Sequence, residues 1–125
     1  MKRKLKIAQI APLWISIPPE KYGGIERIIA MLCDGLTDRG HEVTLFASPG
    51  STAKAKKLVS VFEKPLLEAN IPWSNSVWNL RNLSVAFEEA NKGGFDIIHS
   101  HLFGNNLSRS FSTLCLFLFF VHPSL

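Results

Sequence analysis

The chain has 125 residues, 46% of them hydrophobic and 19% charged, with a formal net charge of +4. This composition is typical of a globular domain and excludes an intrinsically disordered chain. The basic residues are concentrated in segments 2–6 and 54–57 and could attract an anionic membrane surface or nucleic acid. Since no aromatic or RNA-binding signature accompanies them, we expect no nucleic-acid partner and only a weak association with membrane surfaces.

The cysteines and the amino-terminal segment indicate the compartment. Cys33 and Cys115 lack the close spacing that a zinc site or a redox pair needs, so both are expected to be reduced thiols. The basic start of the chain leads into only a short apolar segment before Pro12, which is unlike a secretory signal. We therefore predict a cytoplasmic protein.

The first third of the chain predicts a strand, a long loop and a helix. Residues 5–11 are apolar and suit a buried strand, and the proline-rich segment 12–23 is longer than a simple connection requires. Residues 24–39 show helical periodicity that ends at residues 38–40, where Gly40 can take a left-handed conformation. The predicted buried stripe of this helix consists of Ile25, Ile28, Ile29, Leu32, Cys33 and Leu36.

Two glycines open this helix, in the sequence Tyr22-Gly23-Gly24-Ile25-Glu26. The first turn of a helix has unpaired backbone N–H groups and carries the positive end of the helix dipole. Glycine lets a phosphate approach these groups without meeting a Cβ atom, so the motif predicts an anion site. The alternative is a tight loop-to-helix turn without a ligand.

The rest of the chain continues the alternation of strands and helices. Strands are predicted at residues 41–47, 58–62 and 95–100, irregular structure at 63–74, and a helix at 76–91. The predicted buried face of this second helix consists of Val77, Leu80, Leu83, Phe87 and Ala90. The pattern predicts an α/β fold with a Rossmann-like parallel sheet in the order 3-2-1-4 and flanking helices.

That strand order brings two distant motifs together. The first and fourth strands become neighbours, so the glycine motif and the histidines His99 and His101 should flank one crevice at the carboxyl edge of the sheet. The amides would hold an anion, and a histidine would stand beside it. Alternatively, either histidine is held by backbone groups at the end of its strand.

Four separate blocks carry a resemblance to a known family. They are residues 6–12 (KIAQIAP), 18–27 (PPEKYGGIER), 39–47 (RGHEVTLFA) and 95–101 (FDIIHSH). In order and spacing they resemble the retaining glycosyltransferases of family 4, whose GT-B fold has two Rossmann-like domains facing across a cleft. The resemblance implies that residues 1–102 are part of the amino-terminal, acceptor-side domain. It therefore implies an incomplete amino-terminal half of a GT-B architecture.

The resemblance also implies an activity and a set of site residues. The enzyme would move a sugar, in a hexosyl-type transfer, from a nucleotide-sugar donor to an acceptor with retained anomeric configuration. Gly23 and Gly24 would bind the donor pyrophosphate, and His101 would be the catalytic residue that reaches the donor sugar. Lys21 would face the phosphate, or alternatively be a solvated loop lysine, and Glu26 would be a charge at the helix start. No metal and no cofactor are expected.

After His101 the sequence departs from the family pattern. Residues 103–125 form a divergent apolar tail, which we interpret as the mark of a truncated or frame-shifted product, and the donor-binding second domain has no counterpart. We therefore expect no activity from this chain alone. The apolar run at 114–121 predicts a strand, since a bilayer span needs about 20 apolar residues.

Two matters stay open at this stage. A stand-alone module that binds a phosphate ligand or a protein, without catalysis, is the alternative to an enzyme. The acceptor would be selected by the loops at residues 13–21 and 48–56. The sequence identifies neither the acceptor nor the donor sugar and its nucleotide. It also leaves the oligomeric state open.

Overall fold

The computed structural model describes residues 3–21, 23–72 and 77–102, together with the backbone of Phe117–Phe120. In chain order the elements are β1 (Lys6–Ile10), α1 (Gly24–Asp38), β2 (Glu42–Phe46), β3 (Lys57–Val59), α2 (Val77–Asn91), β4 (Ile97–Ser100) and β5 (Phe117–Phe120). Tyr22 of the glycine motif, and the predicted tail apart from β5, lie outside the described residues.

The strands form one sheet in the order β3-β2-β1-β4-β5. Strands β1 to β4 are parallel to one another, which confirms the predicted order 3-2-1-4 and the Rossmann-like α/β fold. The predicted strand in the apolar tail is present as β5, which pairs antiparallel with β4. The sequence pattern gave no indication of that direction.

The two helices cover opposite faces of the sheet. On the α1 face, Ile29 and Cys33 pack with Val43 and Leu45 of β2 and with Ala11, which directly follows β1. On the α2 face, Ala86 and Ala90 pack with Ile10 and other residues of the strands. Each fully buried aliphatic side chain contributes about 1.5–3 kcal/mol, so these two clusters supply the main stabilisation of the sheet.

Helix α1 buries a narrower stripe than its periodicity predicts. Ile29 and Cys33 are buried as expected, but Ile28 is 54% exposed and Ala30 faces the core instead. The predicted stop at Gly40 is confirmed: its φ is +91°, and its N–H and that of His41 donate to carbonyls of the last helical turn.

The predicted face of α2 is wrong in its first turn. Val77 and Leu80 are 65% and 60% exposed, whereas Asn82, Ala86 and Ala90 are buried. Small side chains at four-residue intervals let this helix lie close to the sheet. The buried amide of Asn82 replaces the apolar residue that the pattern suggested.

The third strand also differs from its predicted extent of 58–62. Strand β3 begins at Lys57 and ends at Val59, and the chain then leaves the sheet. Phe62 packs against Trp78 of α2, with ring centroids 4.7 Å apart. Aromatic packing against α2 therefore takes the place of the three further ladder residues that were predicted, 60–62.

The two basic segments of the sequence meet at the amino ends of the parallel strands, because β1 and β3 both begin there. Lys4 and Lys56 each form an ion pair with Glu42, at 3.3 and 3.2 Å, and hydrogen bonds from these two lysines lower the pKa of that carboxyl. Glu42 thus offsets part of the local positive charge. Among the described residues, neither helix has the length and apolar character needed to cross a membrane.

Candidate functional site

The start of α1 and the end of β4 lie at the same edge of the sheet. Since β1, β2 and β4 are parallel, their carboxyl ends share one edge, and the connection from β1 to α1 begins there. Helix α1 starts at Gly24, and His101 directly follows the last residue of β4, Ser100. The backbone N–H of His101 donates to the carbonyl of Ile10 at the end of β1, at 2.9 Å.

The two motifs also lie on the same face of the sheet. Gln9 in β1 is paired with Leu45 of β2 on one side and with His99 of β4 on the other. Leu45 belongs to the cluster that packs against α1. His101 Nε2 lies 2.7 Å from Gln9 Oε1, which places the imidazole on the α1 face as well. The structure therefore brings the glycine motif and His101 to one edge and one face.

The long loop before α1 is held in place along this edge. Its residues Leu13 and Ile17 are buried, and the carbonyl of Ile17 accepts hydrogen bonds from the N–H groups of Thr52 and Ala53. At its beginning, the N–H of Leu13 donates to Oδ1 of Asn79 in α2 at 3.1 Å. The loop is thus a packed part of the domain that fixes where α1 begins.

The two glycines of the motif have different surroundings. Gly23 is buried, and a Cβ atom there would lie 2.7 Å from Glu26 Oε1 and 2.8 Å from Ile15 Cδ1. Gly24 is exposed, and a Cβ atom on it would meet nothing within 4 Å. Gly23 therefore serves close packing within the protein, whereas Gly24 presents open backbone to solvent.

This difference predicts opposite outcomes for two alanine variants. We expect Gly23→Ala to lower the free energy of unfolding by about 1 kcal/mol, because the side chains of Glu26 and Ile15 must move. Gly24→Ala should be neutral or slightly stabilising, since alanine favours the helix and finds open space. Urea unfolding of both variants measures this, and equal losses would contradict the assignment.

Glu26 places a carboxyl group at the start of α1. Its side chain is buried, with 8% of its surface exposed, and it lies in the first helical turn beside Gly23. Burial raises the pKa of this carboxyl, while a hydrogen bond from its own backbone N–H opposes the rise. The predicted role of a charge at the helix start fits this position.

The two strand-end histidines lie close together, with their rings tilted by 38° to each other. The ring centroids of His99 and His101 are 4.2 Å apart, and His101 is only 2% exposed. Burial, together with the nearby His99, lowers the pKa of His101 to about 4. Burial also lowers the pKa of His99. Both rings are therefore neutral at pH 7, so each can donate one hydrogen bond and accept another.

Lys21 lies apart from the histidines, on the rim of a cavity of about 600 Å³ at the same edge. Its walls come from the loop after β1, from Pro49 and Gly50 after β2, and from residues 63–68. Lys21 is exposed, and its carbonyl accepts a 2.7 Å hydrogen bond from Arg27 Nη2, which ties it to the first turns of α1. Gly23, Gly24 and His101 are not among the lining residues.

Sequence reasoning missed several residues of this region. Gln9 is polar and 1% exposed in the middle of β1, and its parallel neighbour His99 is the signal that could have pointed to it. Residues 63–68 form the third wall of the cavity, although their sequence, EKPLLE, contains no recognisable motif. Within the described ranges, no group of three His, Cys, Asp or Glu side chains is arranged to hold a metal ion.

Comparison with protein-family models matches residues 22–114 to the family described as Glycosyltransferase Family 4. The matched range includes the glycine motif, both helices and β4 with His101, and it begins after β1. No curated protein matches the chain.

Proposed function

This chain belongs to Glycosyltransferase Family 4, and on that premise we propose that it binds a nucleotide-sugar donor at the carboxyl edge of its sheet. The diphosphate would lie at the start of α1, over Gly24, and the donor sugar would lie toward His101. In the enzyme that contains this domain, the sugar would then pass to an acceptor with retained anomeric configuration.

One observation carries this proposal: the exposed start of α1 and the end of β4 share an edge and a face of the sheet. Gly23, at the N-cap position, has no side chain to cap the helix, the Glu26 carboxyl accepts a hydrogen bond from its own N–H, and the space above Gly24 is open. A diphosphate there would meet backbone N–H groups and the positive end of the helix dipole. The attached sugar would then extend along the edge toward β4.

The main requirement of the proposed reaction is stabilisation of the leaving phosphate. In a transfer with retention, the bond to the sugar breaks through an oxocarbenium-like state while negative charge grows on the diphosphate. Amides fixed at a helix start stabilise that charge without reorganising. Lys21 would add a mobile positive charge from the neighbouring loop. His101 is neutral, so its contribution would be a hydrogen bond to the sugar and not a positive charge.

The acceptor would occupy the cavity beside Lys21. Both loops that the sequence suggested for acceptor choice contribute to its walls, through Ile15 and Pro19 from the first and Pro49 from the second. A volume of about 600 Å³ lies in the range of small-molecule sites. Its walls carry charged and apolar side chains in similar number, which suits a ligand that has both hydroxyl groups and apolar faces.

Calorimetric titration of the full chain with UDP-glucose, GDP-mannose and inorganic pyrophosphate tests the proposal. We expect saturable binding of a nucleotide-sugar that weakens at least tenfold in Gly24→Val, because a branched side chain would keep the phosphate from the backbone. The matched control is Gly35→Val, in the same helix, where the glycine is also exposed and an added Cβ also meets nothing within 4 Å. All titrations contain EDTA, since we propose that binding needs no metal.

The outcomes separate the two candidate functions. A nucleotide-sugar that binds more tightly than pyrophosphate, with the preference lost in His101→Asn, supports a donor site. Pyrophosphate binding without any preference for a sugar would favour a phosphate-binding module without catalysis. If no probe binds, or if Gly24→Val and Gly35→Val weaken binding equally, the proposed phosphate site is wrong.

A further inference from the structure

Gln9 is an unusual residue for its place in the sheet. It lies in the central strand β1, is 1% exposed, and is flanked on the α1 face by Leu45 of β2 and His99 of β4. Burying a primary amide is unfavourable unless its hydrogen bonds are made, so an apolar residue would serve packing better here. The partner that the structure provides is His101, across the β1–β4 pair.

The contact between Gln9 and His101 defines the protonation state of the ring. Gln9 Oε1 lies 2.7 Å from His101 Nε2, and an amide oxygen can only accept a hydrogen bond. With the amide oxygen facing the ring, the hydrogen of the contact lies on Nε2. In a neutral imidazole, one nitrogen carries the hydrogen and the other carries the lone pair, so Nδ1 becomes the acceptor.

We propose that Gln9 is a positioning residue that holds His101 as the Nε2–H tautomer and so leaves Nδ1 to accept a hydrogen bond from a hydroxyl group of the bound sugar. The part that concerns the sugar rests on the proposed function, whereas the tautomer is a property of the free protein. His101 then recognises a hydroxyl donor and does not act as a cation on the phosphate.

The surroundings of the ring agree with a neutral acceptor. The ring of His99 in β4 lies against it in a tilted arrangement, with ring centroids 4.2 Å apart, and Gln9 of β1 contacts its Nε2. No described residue forms an ion pair with it. Burial and the neighbouring His99 lower the pKa of His101 to about 4. A buried carboxylate in place of Gln9 would instead favour the imidazolium form.

The tautomer can be measured directly on the full chain with ¹⁵N-labelled histidine, by long-range ¹H–¹⁵N correlation at pH 7. The chain has four histidines, and the signals of His101 are assigned by their loss in His101→Asn. We expect Nε2 to show the shift of a protonated nitrogen and Nδ1 that of an unprotonated one. In Gln9→Met, which keeps the length of the side chain without its acceptor, the tautomer ratio should move at least fivefold toward a mixture.

Two further variants keep the test decisive. Ile7→Val alters packing two residues away in the same strand and should leave the ratio unchanged, which separates positioning from a general structural effect. Gln9→Glu still accepts from Nε2 and should raise the pKa of His101. A proton on Nδ1 in the natural chain, an unchanged ratio in folded Gln9→Met, or an unchanged His101 pKa in Gln9→Glu would each overturn the proposal.

Addition of UDP-glucose and GDP-mannose separates this inference from the proposed function. If the tautomer is as expected and neither donor binds, the donor site is wrong while the role of Gln9 in the free protein stands. If a donor binds, Gln9→Met should weaken it about fivefold and leave pyrophosphate binding unchanged. Donor binding that is equally tight in folded Gln9→Met would overturn the assignment of Nδ1 as the acceptor.

Discussion

Asn82→Asp is expected to destabilise the domain by about 3 kcal/mol or more at pH 7. The side chain of Asn82 is fully buried, and its Nδ2 donates to the carbonyls of Ala11 and Phe46, both at 3.0 Å. These carbonyls lie where β1 and β2 end, so one amide ties α2 to the ends of both strands. Aspartate has the same shape but, when ionised, only acceptors, and it would bury a charge against two carbonyl oxygens.

The same helix offers a matched control one turn earlier. Asn79 uses its Oδ1 to accept from the N–H of Leu13, and a carboxylate can do the same. We therefore expect Asn79→Asp to change the unfolding free energy by less than about 0.5 kcal/mol. Chemical denaturation of the two variants provides the comparison. Similar stability of both would show that the Asn82 amide does not hold the strand ends.

The second large effect is a loss of stability in mild acid caused by His101. Its pKa in the folded chain is about 4, compared with an ordinary value of 6.5. Between these values the unfolded chain binds more protons, so stability is fully present above pH 6.5 and is lost as the pH falls toward 4. Each tenfold change in proton affinity corresponds to about 1.4 kcal/mol, and we expect a loss of about 2 kcal/mol after solvent screening.

The His101 contribution is isolated by comparison with His101→Asn, which cannot titrate. Urea midpoints of both proteins measured from pH 7 to pH 4 should converge as the pH falls, because only the natural chain loses the histidine contribution. Glu26, whose pKa is raised, titrates in both proteins and cancels in the difference. Parallel pH profiles for the two proteins would contradict burial of a neutral His101.

The order of the parallel strands was predictable from the sequence because it depends on connectivity and handedness. Apolar runs separated by one helical segment each leave few arrangements, and the doubly wound order is the usual one. The end of α1 was equally predictable, since Gly40 has the positive φ that its position after the helix suggested. These features depend on backbone geometry, which local sequence determines.

Side-chain burial was less predictable because it depends on what the opposite element presents. The α2 pattern favours Val77 and Leu80 for the core, but both are exposed. Instead, Asn82 faces the strand ends and donates a hydrogen bond to a backbone carbonyl there. Likewise, the glycine pair suggested two equivalent phosphate-binding positions. Only the packing of Ile15 and Glu26 around Gly23 shows that the two differ.

The central claim is that the start of α1 and His101 belong to one ligand site, and NMR titration of the full chain with UDP-glucose and GDP-mannose tests it most directly. The account predicts that the backbone amide of Gly24 and the imidazole nitrogens of His101 shift together and yield the same Kd for the donor that binds. Shifts confined to one of the two, or two different Kd values, would contradict a shared site.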